Sequence, residues 1–206
     1  MKGRINPDFL PPAGGKILLH SCCAPCSAAV MEELLRMGAD FAVFYFNPNI
    51  FPLREYELRK SENKKLALSM GAPFIDADWT HAEWSAQCSP LAAEPERGAR
   101  CLECFKLRLL KTAEYASANG FSVFSTTLTS SRWKSAEQVA EAGSFAESAF
   151  PNVRFWLRNW RKGGLSERRA QLLREYGFYN QTYCGCEYSR RPQNSPQNAS
   201  AESAQK

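Results

Sequence analysis

Seven of the eight cysteines fall into three groups whose spacing suits sulfur chemistry: Cys22, Cys23 and Cys26; Cys101 and Cys104; and Cys184 with Cys186. Two such groups that meet in space can supply four thiolates, a set that fits tetrahedral zinc or an iron–sulfur cluster equally well by count. Structural zinc prefers two tidy CxxC or His-containing knuckles. Here one half reads Cys-Cys-x-x-Cys and a third pair is left over, so the surplus favours redox work. Residues two apart approach disulfide spacing only if the backbone turns, and Gly185 between Cys184 and Cys186 allows that turn. The small ring would be strained and therefore labile, as an electron-relaying dithiol requires; the alternative is a second metal-binding pair. Cys88, without a cysteine neighbour, reads as incidental. His20 is either a metal ligand, a proton donor or a hydrogen-bonded structural residue, and His81 has no supporting context.

The elements that must position these groups alternate. Lys16 to Leu19 suits a buried strand and Ala28 to Arg36 a helix, so the first cysteines sit where a strand hands over to a helix. In an open α/β sheet that place faces the ligand crevice, and a helix N-terminus favours thiolates and anions. Phe41 to Phe46, Pro73 to Asp76, Phe121 to Thr126 and Val153 to Leu157 read as further strands. Arg54 to Met70 reads as a solvated helix. Helices are also expected from Cys101 to about Asn119, Lys134 to Phe150 and Ser166 to Tyr176. Asp78 to Arg100, with Pro90, Pro95 and Gly98, reads as a long surface excursion. The alternation implies an α/β fold: a mostly parallel sheet with helices on both faces, in a single domain.

At 206 residues and 44% hydrophobic composition the chain supports one full core. Residues 1–15 are expected to be an N-terminal extension, 16–189 the domain, and 190–206, rich in Pro, Asn, Gln and Ser, a disordered tail. A secretory signal and a bilayer-spanning stretch are both missing from the pattern, which points to the cytoplasm and away from a membrane. Cysteines kept reduced there are more often metal ligands or redox groups than structural disulfides.

The formal net charge is +5, and between Arg154 and Arg191 nine Lys or Arg face three Glu, so the basic character belongs to the C-terminal third. Arg158, Arg161, Lys162, Arg168 and Arg169 are candidate phosphate contacts on RNA. Trp133, Trp156 and Trp160 lie near Arg132, Arg158 and Arg161, an interleaving that suits base stacking as well as core packing. Of the three, Trp160 is the candidate for stacking.

The chain resembles the epoxyqueuosine reductases of the QueH type, which have a HUP-like (Rossmann-like) α/β fold. The resemblance rests on His20-Ser-Cys-Cys-Ala-Pro-Cys26; Tyr45-Phe-Asn-Pro-Asn-Ile50 with Glu55-Tyr56 and Arg59; Glu96-Arg-Gly-Ala-Arg-Cys-Leu-Glu-Cys-Phe105 with Arg108; Phe124-Ser-Thr-Thr-Leu-Thr129 with Ser131 and Lys134; and Tyr179-Asn-Gln-Thr-Tyr-Cys-Gly-Cys186. It implies cobalamin-independent reduction of epoxyqueuosine to queuosine at the wobble position of tRNA, with electrons from a donor that the sequence does not identify. It also implies that Cys22, Cys23, Cys101 and Cys104 hold a 4Fe-4S cluster and that Cys184 and Cys186 form the redox-active disulfide. Spacing alone would instead pair Cys23 with Cys26. The resemblance leaves Cys26 outside the four, as the candidate ligand for an additional iron ion. Asn180 departs from the resemblance, standing where it leads one to expect Arg at an implied RNA contact.

Two rival readings remain at this point. A HUP-type ATP-dependent tRNA thiolation enzyme would need a small-residue phosphate turn after the first strand, where Cys22-Cys23-Ala24-Pro25 stands instead and Pro25 lacks a donor. A zinc-stabilised RNA-binding module would carry zinc without catalysis.

Overall fold

Five strands, Ile17–His20 (β1), Phe41–Tyr45 (β2), Phe74–Asp76 (β3), Val123–Thr126 (β4) and Arg154–Phe155 (β5), form one parallel sheet in the order β3-β2-β1-β4-β5. The structure is a computed structural model that describes residues 15–77 and 81–190. The extension expected over 1–15 and the tail expected over 190–206 lie, apart from Gly15 and Arg190, outside those residues. Helices Ala24–Arg36 (α1), Leu53–Ser69 (α2), His81–Cys88 (α3), Ala99–Ala118 (α4), Ala136–Ala149 (α5) and Leu165–Glu175 (α6) complete the described fold.

β1 lies at the centre, with Ile17 beside Phe41 and Val123 and His20 beside Phe44 and Thr126. A strand covered on both faces must be apolar throughout, which is why Ile17, Leu18 and Leu19 form an unbroken run. Ile17, Leu19 and Val43 pack with α1, α2 and α6 through Met31, Leu34, Leu66 and Leu172. Leu18, Ala42 and Phe44 pack on the other face with α4 and α5 through Leu109, Ala113, Val139 and Ala146. Each buried leucine of this kind contributes about 1.5–3 kcal/mol. The chain runs outward from β1 to β3 and then returns to β4 on the other side. The order therefore reverses between β1 and β4, and the carboxyl ends of those strands frame the crevice where α/β sheets bind ligands.

The stretch read as a surface excursion is more ordered than expected. Outside residues 78–80 it contains α3 and a single 3₁₀ turn, Ser89–Leu91, and it buries Trp84 and Cys88 completely. The helix is too short and weakly patterned to stand out in sequence; its order comes from tertiary anchors. The buried guanidinium of Arg100 donates to the carbonyls of Leu91, Ala92 and Glu94. His81 donates from Nδ1 to the carbonyl of Pro48 at 2.7 Å and stacks between Phe51 and Trp84. Among the described residues no helix is long and apolar enough to cross a membrane.

Candidate functional site

β1 ends at His20 and α1 begins at Ala24, so the tight turn between them is Ser21-Cys22-Cys23. Cys23 is the N-cap of α1, Pro25 lies in its first turn, where a missing N–H costs nothing, and Cys26 follows in the same turn. The sulfurs of Cys22, Cys23 and Cys26 all lie within 4.8 Å of one another and all three residues are buried, a group that suits a metal ion or cluster. Their frame is polar and closed. Asn63 donates to the Ser21 hydroxyl, Ser21 and Ser27 share a hydrogen bond, and Ser27 donates to the Cys23 carbonyl at 2.8 Å. Asn47 donates to the Ser21 carbonyl at 2.9 Å.

From the 3₁₀ turn Thr127–Ser130 that follows β4, the Thr127 hydroxyl accepts from the Cys22 amide at 3.1 Å and donates to its sulfur at 3.4 Å. Thiol hydrogen bonds from Cys23 and then Cys26 hold Cys22 well below the usual thiol range against the effect of burial, with Lys134 and Thr127 adding to them. Cys23 and Cys26 are pushed up by their bonds to Cys22, so the trio favours one thiolate supported by two thiols. His20 takes the structural role among its three readings. Burial lowers its pKa to about 3, leaving a neutral ring that donates from Nε2 to the Phe46 carbonyl at 3.1 Å and accepts at Nδ1 from Thr126 at 2.8 Å.

The last cysteines reach this turn through a buried arginine. Arg59, on α2 and 2% exposed, pairs with Glu55 at 2.7 Å and donates to the carbonyls of Cys184 at 3.2 Å and Tyr183 at 3.3 Å. Its guanidinium lies over the Tyr183 ring, whose hydroxyl donates to the Phe51 carbonyl at 2.7 Å. Phe51 in turn donates its amide to the Gly185 carbonyl at 2.9 Å. Gly185 has φ +122, and a Cβ there would come within 3.0 Å of Ile50 and 3.1 Å of Arg59, so glycine is required at this approach. Cys184 consequently lines the same narrow cleft as Cys22 and Cys23, together with Asn49, Arg59, Arg108 and Lys134. The three cations suit an anionic occupant. Burial works against the charge of Lys134, yet the sulfurs of Cys22, Cys184, Cys26 and Cys23 hold its pKa above the ordinary range. Buried Arg108 Nε and Asn49 Oδ1 have no hydrogen-bond partner among the described residues, as expected of groups that face a ligand.

Cys101 lies in the first turn of α4 and Cys104 one turn later. Cys101 accepts the Arg97 amide at 3.3 Å and packs against the apolar cluster that contains Cys22, Cys23 and Cys26. Cys104 belongs to a second buried cluster with Trp84, Cys88 and Cys186. Burial raises the pKa of Cys101 and Cys104 and pushes Cys186 up to about 11 and Cys88 up to about 12. Cys184 is the more accessible member of its pair. Cys88, read as incidental, thus sits beside both later groups.

The basic candidates divide. Arg158 is buried, pairs with Glu33 at 2.8 Å and lies 4.4 Å over the Trp160 ring, so its guanidinium works inside the fold and not on a phosphate. Arg168 is held by Glu32 and Glu175. Lys162 is exposed, and Arg161 and Arg169 are half-buried. Trp160 is 1% exposed and donates its indole N–H to the Thr126 carbonyl, which removes it from base stacking. Trp133 is the exposed one of the three.

With this geometry in hand, comparison with known proteins is specific. The sequence profile of the family described as "Epoxyqueuosine reductase QueH" matches residues 17–192. A protein of that name from Histophilus somni is 48% identical over 185 residues, 90% of this chain and 76% of the relative. The Acinetobacter baylyi protein of the same name is 46% identical over 185 residues, 90% of this chain and 85% of the relative. That from Thermotoga maritima is 33% identical over 178 residues, 85% of this chain and 90% of the relative.

Proposed function

This chain belongs to the epoxyqueuosine reductase QueH family, and on that premise we propose how its sulfur groups divide the work of an epoxyqueuosine reductase. The enzyme reduces epoxyqueuosine to queuosine at the wobble position of tRNA. The observation that carries the division of labour is the cleft at the sheet switch point, where Cys184 meets Cys22 and Cys23 under Arg59, Arg108 and Lys134.

Cys22 and Cys23 from the β1–α1 turn and Cys101 and Cys104 from the start of α4 would hold a 4Fe-4S cluster. The fit rests on an all-sulfur donor set at two helix N-termini, with Cys22, Cys23 and Cys104 buried, Cys101 half-buried, and the buried cations Arg59 and Arg108 lining the cleft of the first pair. Such a cluster supplies electrons one at a time. Cys26, so close to Cys22 and Cys23, is the candidate for an additional iron.

Removing the epoxide oxygen as water consumes two electrons and two protons and leaves an alkene. Oxidation of the Cys184–Cys186 dithiol to a disulfide releases that number of each. An external reductant, of unidentified nature, then restores the dithiol. Cys184, at the cleft and the more accessible, faces the substrate; Cys186, buried and with a raised pKa, stays protonated until its partner is oxidised. Lys134 and Arg108 orient the substrate's oxygens at the cleft and exclude bulk water from it. A tRNA substrate implies work in the cytoplasm.

The test is conversion of epoxyqueuosine-containing tRNA by anaerobically purified protein, followed by mass spectrometry of the digested nucleosides. Queuosine, lacking one oxygen, is the expected product without ATP. Product that forms only with ATP, or that carries sulfur, would favour the thiolation chemistry instead.

A further inference from the structure

Beside the cysteine cleft lies a second, more open cavity of about 390 Å³, with Arg97, Arg132, Lys134 and Arg161 set against one carboxylate, Glu137. Among the described residues none of the four cations is in a salt bridge, and Glu137 is engaged by the Ser135 hydroxyl at 2.7 Å. The cavity is therefore positive, with one carboxylate against four cations. Its walls are fixed: Arg97 donates to the carbonyls of Arg132 at 2.7 Å and Trp133 at 3.1 Å, and Gln138 donates to the carbonyl of Arg97 at 2.9 Å. Arg97 itself is held at φ 68, a left-handed conformation that a non-glycine residue keeps only when its surroundings impose it.

Two further observations say what the cavity takes. Trp133, between two of the lining residues, is 63% exposed, more than any other large apolar side chain described. Arg132 lies over its ring at 4.8 Å, giving one flat apolar face next to guanidinium donors. Lys134 lines this cavity and also the cleft of Cys22, Cys23 and Cys184, so a single side chain spans the distance between the two. Guanidinium forks match phosphate oxygens, and an indole face accepts any base.

We propose that this cavity seats the nucleotide adjacent to the modified one, its phosphate between Arg97, Arg132 and Arg161 and its base on Trp133. The inference rests on the tRNA reading above and adds to it where the strand is gripped. The basic C-terminal third then contributes mainly Arg161, while Arg97, Arg132 and Trp133 come from elsewhere in the chain. The grip is independent of which base follows, because stacking and phosphate contacts carry little sequence information.

The test uses the full chain and a synthetic anticodon stem-loop with guanosine at the wobble position, bound at fixed salt and followed by fluorescence anisotropy. Copies carry one uncharged methylphosphonate at each loop phosphate in turn, or one abasic site beside the wobble nucleotide. Arg132→Ala and Trp133→Ala change exposed side chains, and circular dichroism checks that they fold. Wild type should lose on the order of ten-fold in affinity at one methylphosphonate next to the wobble position and at one abasic site. Arg132→Ala should already have lost the first with unaltered RNA, and Trp133→Ala the second, with no further loss on the altered RNA. Variants that bind as wild type, or whose losses multiply in full with every RNA alteration, overturn the proposal. Conversion of epoxyqueuosine-containing tRNA by wild type tests the underlying reading separately: if it proceeds while both variants keep the wild-type KM, the cavity assignment fails and the reductase stands.

Discussion

Replacing Arg59 with Met should release the redox loop from the fold. The guanidinium side chain is 3% exposed and its partner Glu55 12%, so solvent screens their 2.7 Å contact little. Arg59→Met keeps the unbranched apolar stem but leaves the Glu55 carboxylate without its charge partner and the carbonyls of Tyr183 and Cys184 without donors. Breaking one side of a buried pair costs about 3–5 kcal/mol. The two carbonyl bonds are long, at 3.2 and 3.3 Å, and add little beyond that range. For a domain of this size each kcal/mol lowers the melting temperature by about 2–4 °C, so a fall of roughly 6–20 °C is expected. The second readout is local: amides of residues 183–186 should exchange with deuterium faster than in wild type, under conditions where β1 amides do not. Arg59→Lys, which keeps the charge without the fork, should fall between the two. If Arg59→Met melts within about 2 °C of wild type and the loop exchanges at the wild-type rate, Arg59 is not the latch described.

Cys184→Ser and Cys186→Ser should each retain iron, sulfide and the visible spectrum but lose multiple turnover; loss of cluster iron in either would make the pair ligands. Arg158→Ala should lower stability by about 1–3 kcal/mol, because it uncovers Trp160 and removes one of the two arginines on Glu33, which keeps Arg36, yet leave the salt dependence of tRNA binding unchanged; a log–log slope smaller by about 0.7 or more would return it to the phosphate contacts. Gly143→Ala places a Cβ 1.9 Å from the Phe155 ring, and overpacking of about 1–3 kcal/mol should outweigh the helix-propensity gain of up to about 1 kcal/mol, so the variant should melt lower; a higher melting temperature would show that β5 yields freely.

The alternation of strands and helices was legible because a central parallel strand such as Ile17-Leu18-Leu19 must be apolar on both sides, and turn residues punctuate the chain at Asn47-Pro48-Asn49 and Gly71. The place of Cys22 and Cys23 was legible for the same reason, since a strand followed by a helix fixes which edge the turn occupies. Long-range burial was not legible. Arg59 lies among charges on α2 and read as part of a solvated face, and only the resemblance singled it out, without a role; what buries it is a segment more than a hundred residues away. Arg158 and Trp160 read as an RNA surface because composition cannot distinguish a solvated Arg–Trp pair from one folded inward against Glu33. Trp84 and Cys88 were hidden in an aperiodic stretch whose helix is anchored by the cluster around Cys104 and Cys186 and whose following turn is held by Arg100. Trp133 carried the right residue types, and exposure alone separates it from its neighbours.

The most direct test of the account is the iron and acid-labile sulfide content of anaerobically reconstituted protein across single alanine replacements of Cys22, Cys23, Cys26, Cys101 and Cys104. Loss of the cluster is expected for Cys22→Ala, Cys23→Ala, Cys101→Ala and Cys104→Ala, whereas Cys26→Ala should keep a four-iron, four-sulfide complement and lose at most one further iron. Full cluster content in either the Cys101→Ala or the Cys104→Ala protein, with loss in the Cys26→Ala protein, would contradict it and move the site onto the Cys22, Cys23 and Cys26 trio alone.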